Sequence, residues 1–203
     1  SRWLDDIRSQ VDRLSSLTDD LICLAKLEEN PDSAERVDMS AVAEAGAASI
    51  EARCLSRGLE FETDIDGGAF VLCDRRGAER IVSTLTDNAA KYTPDGGRIS
   101  VSLRTSWRTV SLTVENETSG PMGEEDVERI FERFYRLDES RSSGTGGYGM
   151  GLSIVKAVCV RNGWRRTARW SPKSKTLMIR IDMPAAQRDG QRCRRADRDG
   201  RNG

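Results

Sequence analysis

Three stretches of this chain hold residues whose types and spacing can do chemistry. In Thr84-Leu85-Thr86-Asp87-Asn88-Ala89-Ala90-Lys91-Tyr92-Thr93-Pro94, Asn88 and Lys91 stand three apart and share one helical face. An Asn amide offers a neutral oxygen to a hard cation such as Mg2+. A Lys ammonium offers a point charge to phosphate. Ala89 and Ala90 are small enough to let another layer approach. The same pair also suits an ordinary solvated helix face. In Val114-Glu115-Asn116-Glu117-Thr118-Ser119-Gly120-Pro121-Met122 a strand end runs into a turn. A polar side chain there can hold a base edge, or the segment is a plain strand exit. In Gly144-Thr145-Gly146-Gly147-Tyr148-Gly149-Met150-Gly151-Leu152 glycines let backbone N–H groups turn toward an anion at a helix start, or the stretch is a flexible loop. Residues 144, 146 and 149 spell G-x-G-x-x-G, but a helix and a Ser-rich stretch precede them. Arg165 to Arg169 follow with no acid among them, so a dinucleotide fingerprint is rejected. No G-x-x-x-x-G-K-[ST] occurs either.

Composition narrows the chemistry further. There is no histidine in 203 residues. That removes Ser-His-Asp and Cys-His nucleophiles, His general bases and His-bound zinc. The five cysteines are scattered, with no C-x-x-C pair, and read as reduced cytoplasmic thiols. Lys+Arg and Asp+Glu number 32 and 33, so no global basic field points to nucleic acid. Mean hydropathy is −0.57. No apolar run approaches the roughly 18 residues of a membrane span, and residues 1–30 lack a signal-peptide pattern.

The elements that would position these motifs are legible as periodicities. Leu4, Ile7, Val11, Leu14 and Leu21 recur at helical spacing over 2–28, widened by Leu17, Leu24 and Leu27. Such a long stripe packs against other helices in a bundle or dimer, or else onto its own domain. Glu29-Asn30-Pro31-Asp32-Ser33 breaks it, and 30–39 reads as a linker. A helix capped by Ser40 is expected to about Ser56, stopped by Gly58. Strands are expected over Leu59–Ile65 and Phe70–Cys73. A helix from Asp74 as N-cap runs through Tyr92, and a hairpin follows over Arg98–Arg104 and Thr109–Glu115. Glu124–Phe134 reads as a helix opened by three acids, and Met150–Arg161 as a helix closed by Asn162-Gly163. Two strands near Arg166–Trp170 and Thr176–Met183 finish the pattern. The tail 187–203, with six Arg against three Asp, reads as disordered and solvated.

In this order and at these spacings the motifs resemble the ATP-binding domain of bacterial sensor histidine kinases, in the wider GHKL ATPase superfamily. The resemblance covers about residues 1–184. Thr84–Pro94 looks like the N box. Glu124–Lys156, with E-E-D-V-E-R-I-F-E-R-F-Y-R-L-D-E-S-R-S and then G-G-Y-G-M-G-L-S-I-V-K, looks like the F box, lid and second glycine box. Residues 10–29 look like the second helix of the dimerisation and phosphotransfer hairpin. The fold implied is a two-layer α/β sandwich of the Bergerat type: a mixed sheet covered on one face by helices, preceded by one long helix. The domains implied are the partial hairpin at 1–29, the linker at 30–39, the catalytic domain at 40–186 and the tail at 187–203.

The resemblance also implies roles. Asn88 ligates Mg2+. Lys91 reaches the phosphates of ATP and Tyr92 lines the nucleotide. Asn116 stands where the family has the Asp that accepts from the adenine amino group, with Gly120 in the turn beyond. Gly147, Gly149, Gly151 and Leu152 wrap the phosphates. Phe131 and Phe134 anchor the lid, and Arg133 and Arg136 touch phosphate or the partner helix. Three positions depart from the pattern. Thr84 replaces the first Asn of the N box, so a hydroxyl replaces an amide near the metal. Asn116-Glu117-Thr118-Ser119-Gly120 replaces D-x-G-x-G, which removes charge assistance from the adenine bond and a glycine from the turn. Arg161-Asn162-Gly163 replaces H-G-G.

The activity implied is a protein histidine kinase that binds Mg-ATP and donates the γ-phosphate to a histidine. From there phosphate passes to the receiver domain of a response regulator in two-component signalling. That histidine belongs on the first hairpin helix, while the chain starts on the second. A fragment boundary is therefore expected, with no autophosphorylation in isolation and any membrane anchor and sensing region upstream. A homodimer through the N-terminal helix is expected, and no nucleic-acid partner. The alternative is a degenerate GHKL domain with weak or no ATP binding, acting as a regulatory interaction module. A Ser/Thr kinase of the same superfamily is disfavoured by the F-box stretch and the hairpin-like first helix. A purely structural helix-mediated dimer is the remaining reading.

Overall fold

The computed structural model describes residues 34–137 and 149–186, together with Trp3, Leu4, Ile7, Gln10, Val11, Leu14, Ser15, Thr18 and Ile22. Those nine N-terminal residues are helical. Leu4, Ile7, Val11, Leu14 and Ile22 are all exposed, so the described part of the apolar stripe is uncovered on a single chain. Leu17, Leu21, Leu24 and Leu27 of that stripe, and the Arg-rich tail 187–203, lie outside the described residues.

The body is built on a five-stranded sheet of order β2-β4-β5-β7-β6. Its strands are β2 (Glu60–Ile65), β4 (Arg98–Thr105), β5 (Thr109–Glu117), β6 (Arg165–Ser171) and β7 (Thr176–Pro184). β2 runs parallel to β4 and every other pair is antiparallel, so the sheet is mixed. Period-2 alternation decides its faces. Ile99, Val101 and Leu103 of β4, Val110, Leu112 and Val114 of β5, and Ile179, Ile181 and Met183 of β7 are buried. Charged pairs such as Arg98–Glu60 and Arg180–Asp182 are exposed on the other side. The buried face is covered by α1 (Met39–Ser56), α2 (Arg75–Tyr92) and α4 (Gly151–Asn162). α2 packs between α1 and α4. A short α3 (Glu124–Arg129) packs against β6. The two-layer sandwich expected from the motifs is therefore the observed architecture. Among the described residues no helix is long and apolar enough to cross a membrane.

Three local expectations are corrected. The 30–39 stretch is not all linker: β1 (Glu35–Asp38) pairs antiparallel with β3 (Phe70–Cys73). Its one fully buried side chain is Val37, too little apolar signal for a strand to be read locally. Because β1 runs straight into α1, the cap of α1 is Asp38 rather than Ser40, and its carboxylate accepts from the Ser40 amide at 3.0 Å. The Ser40 hydroxyl is used elsewhere. It donates to the Asp66 carbonyl at 2.7 Å and accepts from the Ala69 amide at 3.0 Å, locking the β2–β3 turn. Finally, the helix expected over 124–134 ends at Arg129. Tyr135 Oη donates to Asp126 Oδ1 at 2.5 Å. A continuous helix would separate the two by about 13 Å along its axis, so the chain must turn back.

Candidate functional site

α2 carries the first motif. It starts at Asp74, whose carboxylate accepts from the amides of Arg76 and Gly77. It ends at Thr93, whose amide and hydroxyl both donate to the Ala89 carbonyl. Ile81, Val82, Leu85 and Ala89 point into the core. Thr84, buried, and Asn88, half-buried, face the start of α4. A side chain on Gly151 would place its Cβ 3.0 Å from Thr84 Cγ2 and 4.0 Å from Asn88 Nδ2. Glycine there is what lets the α4 backbone come down on the two N-box residues. The structure therefore brings Thr84, Asn88 and Gly151 together, with Leu152 half-buried beside them and packed on the core. One turn on from Asn88, the Lys91 ammonium sits 4.9 Å from the ring centroid of the exposed Tyr92.

α4 begins differently from the other helices. Its N-cap, Met150, is buried and gives no side-chain hydrogen bond, and its first turn holds no acid. Its N-cap side chain thus takes up none of the leading N–H groups, whose end of the helix dipole is positive and suits an anion. Just before it, Gly149 has φ +70°, and a Cβ there would lie 2.7 Å from the Tyr135 carbonyl oxygen. The Gly149 carbonyl in turn accepts from the Phe134 amide. This contact holds Phe134 at φ 64° with its ring 62% exposed. Phe134 therefore does not anchor the segment to the body as expected. Buried Phe131 does. Asp126 completes the clasp by accepting from the Gly123 amide and the Tyr135 hydroxyl. These two bonds, Tyr135 first, hold the Asp126 carboxyl below the usual carboxylate range. Burial, then the Asp126 bond, pushes the Tyr135 phenol up to about 12. Arg133 is exposed and Arg136 half-buried on the turn after α3. Gly147 lies outside the described residues.

Asn116 lies at the end of β5, on the helix-covered face, 7% exposed. Its Nδ2 donates to the Glu117 carbonyl at 2.9 Å, which leaves Oδ1 as its acceptor. The turn beyond holds a link that sequence reading missed. The Thr118 hydroxyl accepts from Trp170 Nε1 at 3.2 Å and lies 3.0 and 3.1 Å from the carbonyls of Gly120 and Lys175, and the Thr118 amide donates to that Lys175 carbonyl. Thr118 is outside the left-handed region, unlike Phe134 and Lys175, so this turn does not require the glycine the family motif carries there. Instead the hydroxyl pins the turn to the β6–β7 hairpin at Trp170, 52 residues further along the chain. No spacing rule would have found that pairing. Thiol chemistry is closed off among the described residues: burial raises Cys54 and pushes Cys73 and Cys159 to about 11. No cluster of three His, Cys, Asp or Glu able to hold a metal occurs among them either.

Comparison with known proteins agrees with this fold. The family described as histidine kinase-, DNA gyrase B- and HSP90-like ATPases matches residues 73–187, more than half of the chain, and the chain belongs to that family. The phosphate regulon sensor protein PhoR of Pseudomonas aeruginosa is 34% identical over 166 residues, 79% of this chain and 37% of that protein. Among solved structures, the mycobacterial sensor histidine kinase MprB superposes with TM-score 0.64 at 28% identity, covering 76% of this chain and 99% of that one. Full-length ShkA, solved with AMPPNP, matches in fold at TM-score 0.76 and 21% identity, over 92% of this chain and 39% of that one. The chain spans less than half the length of the curated relatives it matches. Those relatives are sensor proteins and histidine kinases by name, and the fold described above is that of the ATPase domain of this family.

Proposed function

We propose that the chain binds Mg-ATP between α2 and the start of α4 and presents the γ-phosphate to a histidine on a partner hairpin. The observation that carries this reading is the α4 N-terminus. Its N-cap gives no side-chain bond, its first turn holds no acid, and Gly151 brings it against Thr84 and Asn88. Its amides and dipole suit a polyphosphate, and Lys91 adds a cation. Asn116 Oδ1 would accept from the adenine amino group, and Tyr92 would line the base. Gly120 would leave the turn beyond Asn116 open, and Gly147, Gly149 and Leu152 would shape the phosphate pocket. Arg133 and Arg136 would balance charge near the transferred group.

The donor set fits a metal that arrives with the nucleotide. A single amide oxygen, from Asn88, replaces the carboxylate cage that a resident ion would need, and Mg2+ commonly keeps its waters and phosphate ligands. When bound, the ion neutralises phosphate charge. The chain's own residues orient and hold. Catalysis of this kind is mostly positioning and electrostatic stabilisation.

In the whole protein, phosphate would then pass to a response-regulator receiver domain, since sensor histidine kinases pair with response regulators. The exposed Leu4, Ile7, Val11 and Leu14 stripe supports a homodimer through the N-terminal helix, with any membrane anchor upstream. The test is calorimetric titration with a non-hydrolysable Mg-ATP analogue, followed by phosphotransfer in trans to a supplied hairpin. Affinity near micromolar and transfer to histidine are expected. Absence of binding at millimolar nucleotide would return the chain to a regulatory interaction module.

A further inference from the structure

Arg57, the residue that closes α1, reaches across to the end of α2. Its Nη1 donates to the Ala90 carbonyl at 2.5 Å, its Nη2 to the Thr93 carbonyl at 2.7 Å, and its Nε to Asp95 Oδ1 at 2.7 Å. Its own carbonyl accepts from the Gly96 amide at 3.3 Å. The guanidinium side chain is 30% exposed. The two carbonyls it holds bracket Lys91 and Tyr92. The last carbonyls of a helix have no intrahelical donor, and a cation at that end also meets the negative pole of the dipole. A planar guanidinium can serve two carbonyls and a carboxylate at once, whereas an ammonium cannot match that fork.

We propose that Arg57 is a positioning residue for the nucleotide site: by clamping the backbone on both sides of Lys91 and Tyr92, it sets where those two side chains meet ATP. This rests on the assignment of Lys91 to the nucleotide. Without the clamp the last turn of α2 frays while its Asp74-capped start stays closed. Lys91 then reaches phosphate from a spread of positions. Asp95 only orients the guanidinium from the solvent side and is 78% exposed.

The experiment compares wild type, Arg57→Ala, Arg57→Lys, Asp95→Ala and Lys91→Ala by calorimetry with a Mg-ATP analogue and by amide hydrogen exchange without nucleotide. Arg57→Ala should weaken binding about tenfold, as expected for loss of charge-assisted hydrogen bonds. Its exchange should quicken at Tyr92 and Thr93 but not at Arg76 and Gly77. Arg57→Lys should fall between, and Asp95→Ala should resemble wild type. Guanidinium ion added below denaturing concentration should restore part of the affinity of Arg57→Ala and none to Lys91→Ala. Unchanged affinity in Arg57→Ala, or exchange that rises equally along all of α2, overturns the proposal. If Lys91→Ala weakens binding and Arg57→Ala does not, only the positioning role falls. If Lys91→Ala binds as wild type does, the site assignment falls and takes the positioning role with it.

Discussion

α2 and α4 lie side by side in the same layer, yet their starts are treated in opposite ways. α2 is closed at both: Asp74 takes up its first amides, and Thr93 and Arg57 take up its last carbonyls. α4 is closed only at its far end, where Gly163 adopts the left-handed conformation and its amide reaches back to Val160 and Cys159. Its near end has no side-chain cap and no acid. α3 again differs, with Glu124, Glu125 and Asp126 in its first turn. The difference teaches which helix start has no side-chain cap and no acid among the described residues. A helix terminus costs stability when uncapped, by about 1 kcal/mol. Here the first residue of α4, Gly151, comes down on Thr84: a Cβ there would lie 3.0 Å from Thr84 Cγ2.

The contrast breaks most easily at the side chain α2 contributes. If Asn88 holds the metal ion as proposed, Asn88→Ala should lower phosphotransfer to a supplied hairpin by roughly 100-fold, since it removes the amide oxygen that would position the ion, while circular dichroism stays unchanged. Full activity would end the assignment of Asn88. Next in size, nucleotide at about 100 times Kd should stabilise the chain by about 2.7 kcal/mol. In hydrogen exchange the slowing should fall on the amides of Gly151, Leu152 and Ser153, with little at Arg76 and Gly77. Equal slowing at both helix starts would erase the distinction between them.

Gly149→Ala should cost about 2 kcal/mol in urea unfolding, because a Cβ at φ +70° is strained and meets the Tyr135 carbonyl. Asp74→Ala should cost about 1 kcal/mol, the usual worth of an N-cap, with nucleotide affinity nearly intact. The smallest effect belongs to the Asp126–Tyr135 clasp. The Asp126 carboxyl is held below its ordinary 3.8, so its contribution is present above that pH. It is lost as pH falls through the lower folded value. Tyr135, raised to about 12 from 10.0, contributes below pH 10 and loses that contribution as pH climbs toward 12. Tyr135→Phe should flatten both limbs in a pH series of urea midpoints.

Much of this was legible in one dimension. β3 runs Phe70–Cys73 and α2 runs from the Asp74 cap to Tyr92, both as expected, because alternation, caps and the Thr93-Pro94 stop act within four residues. The N box and the glycine-to-helix junction are local for the same reason. What failed was local signal overruled from afar. β1 is short and charged, and exists because β3 is beside it. The helix expected to Phe134 ends early because Tyr135 must reach Asp126 and Gly149 must receive Phe134.

By itself the sequence determined the strands and helices with strong periodicity, the family motifs, and the absence of histidine chemistry from these 203 residues. Only the tertiary structure decided how the site is held: Gly151 against Thr84, Thr118 against Trp170, and Arg57 around the end of α2. The reason is physical. Caps and hydrophobic faces are set by neighbours along the chain, whereas hydrogen bonds between residues 33 to 52 positions apart form only once packing has brought their backbones together.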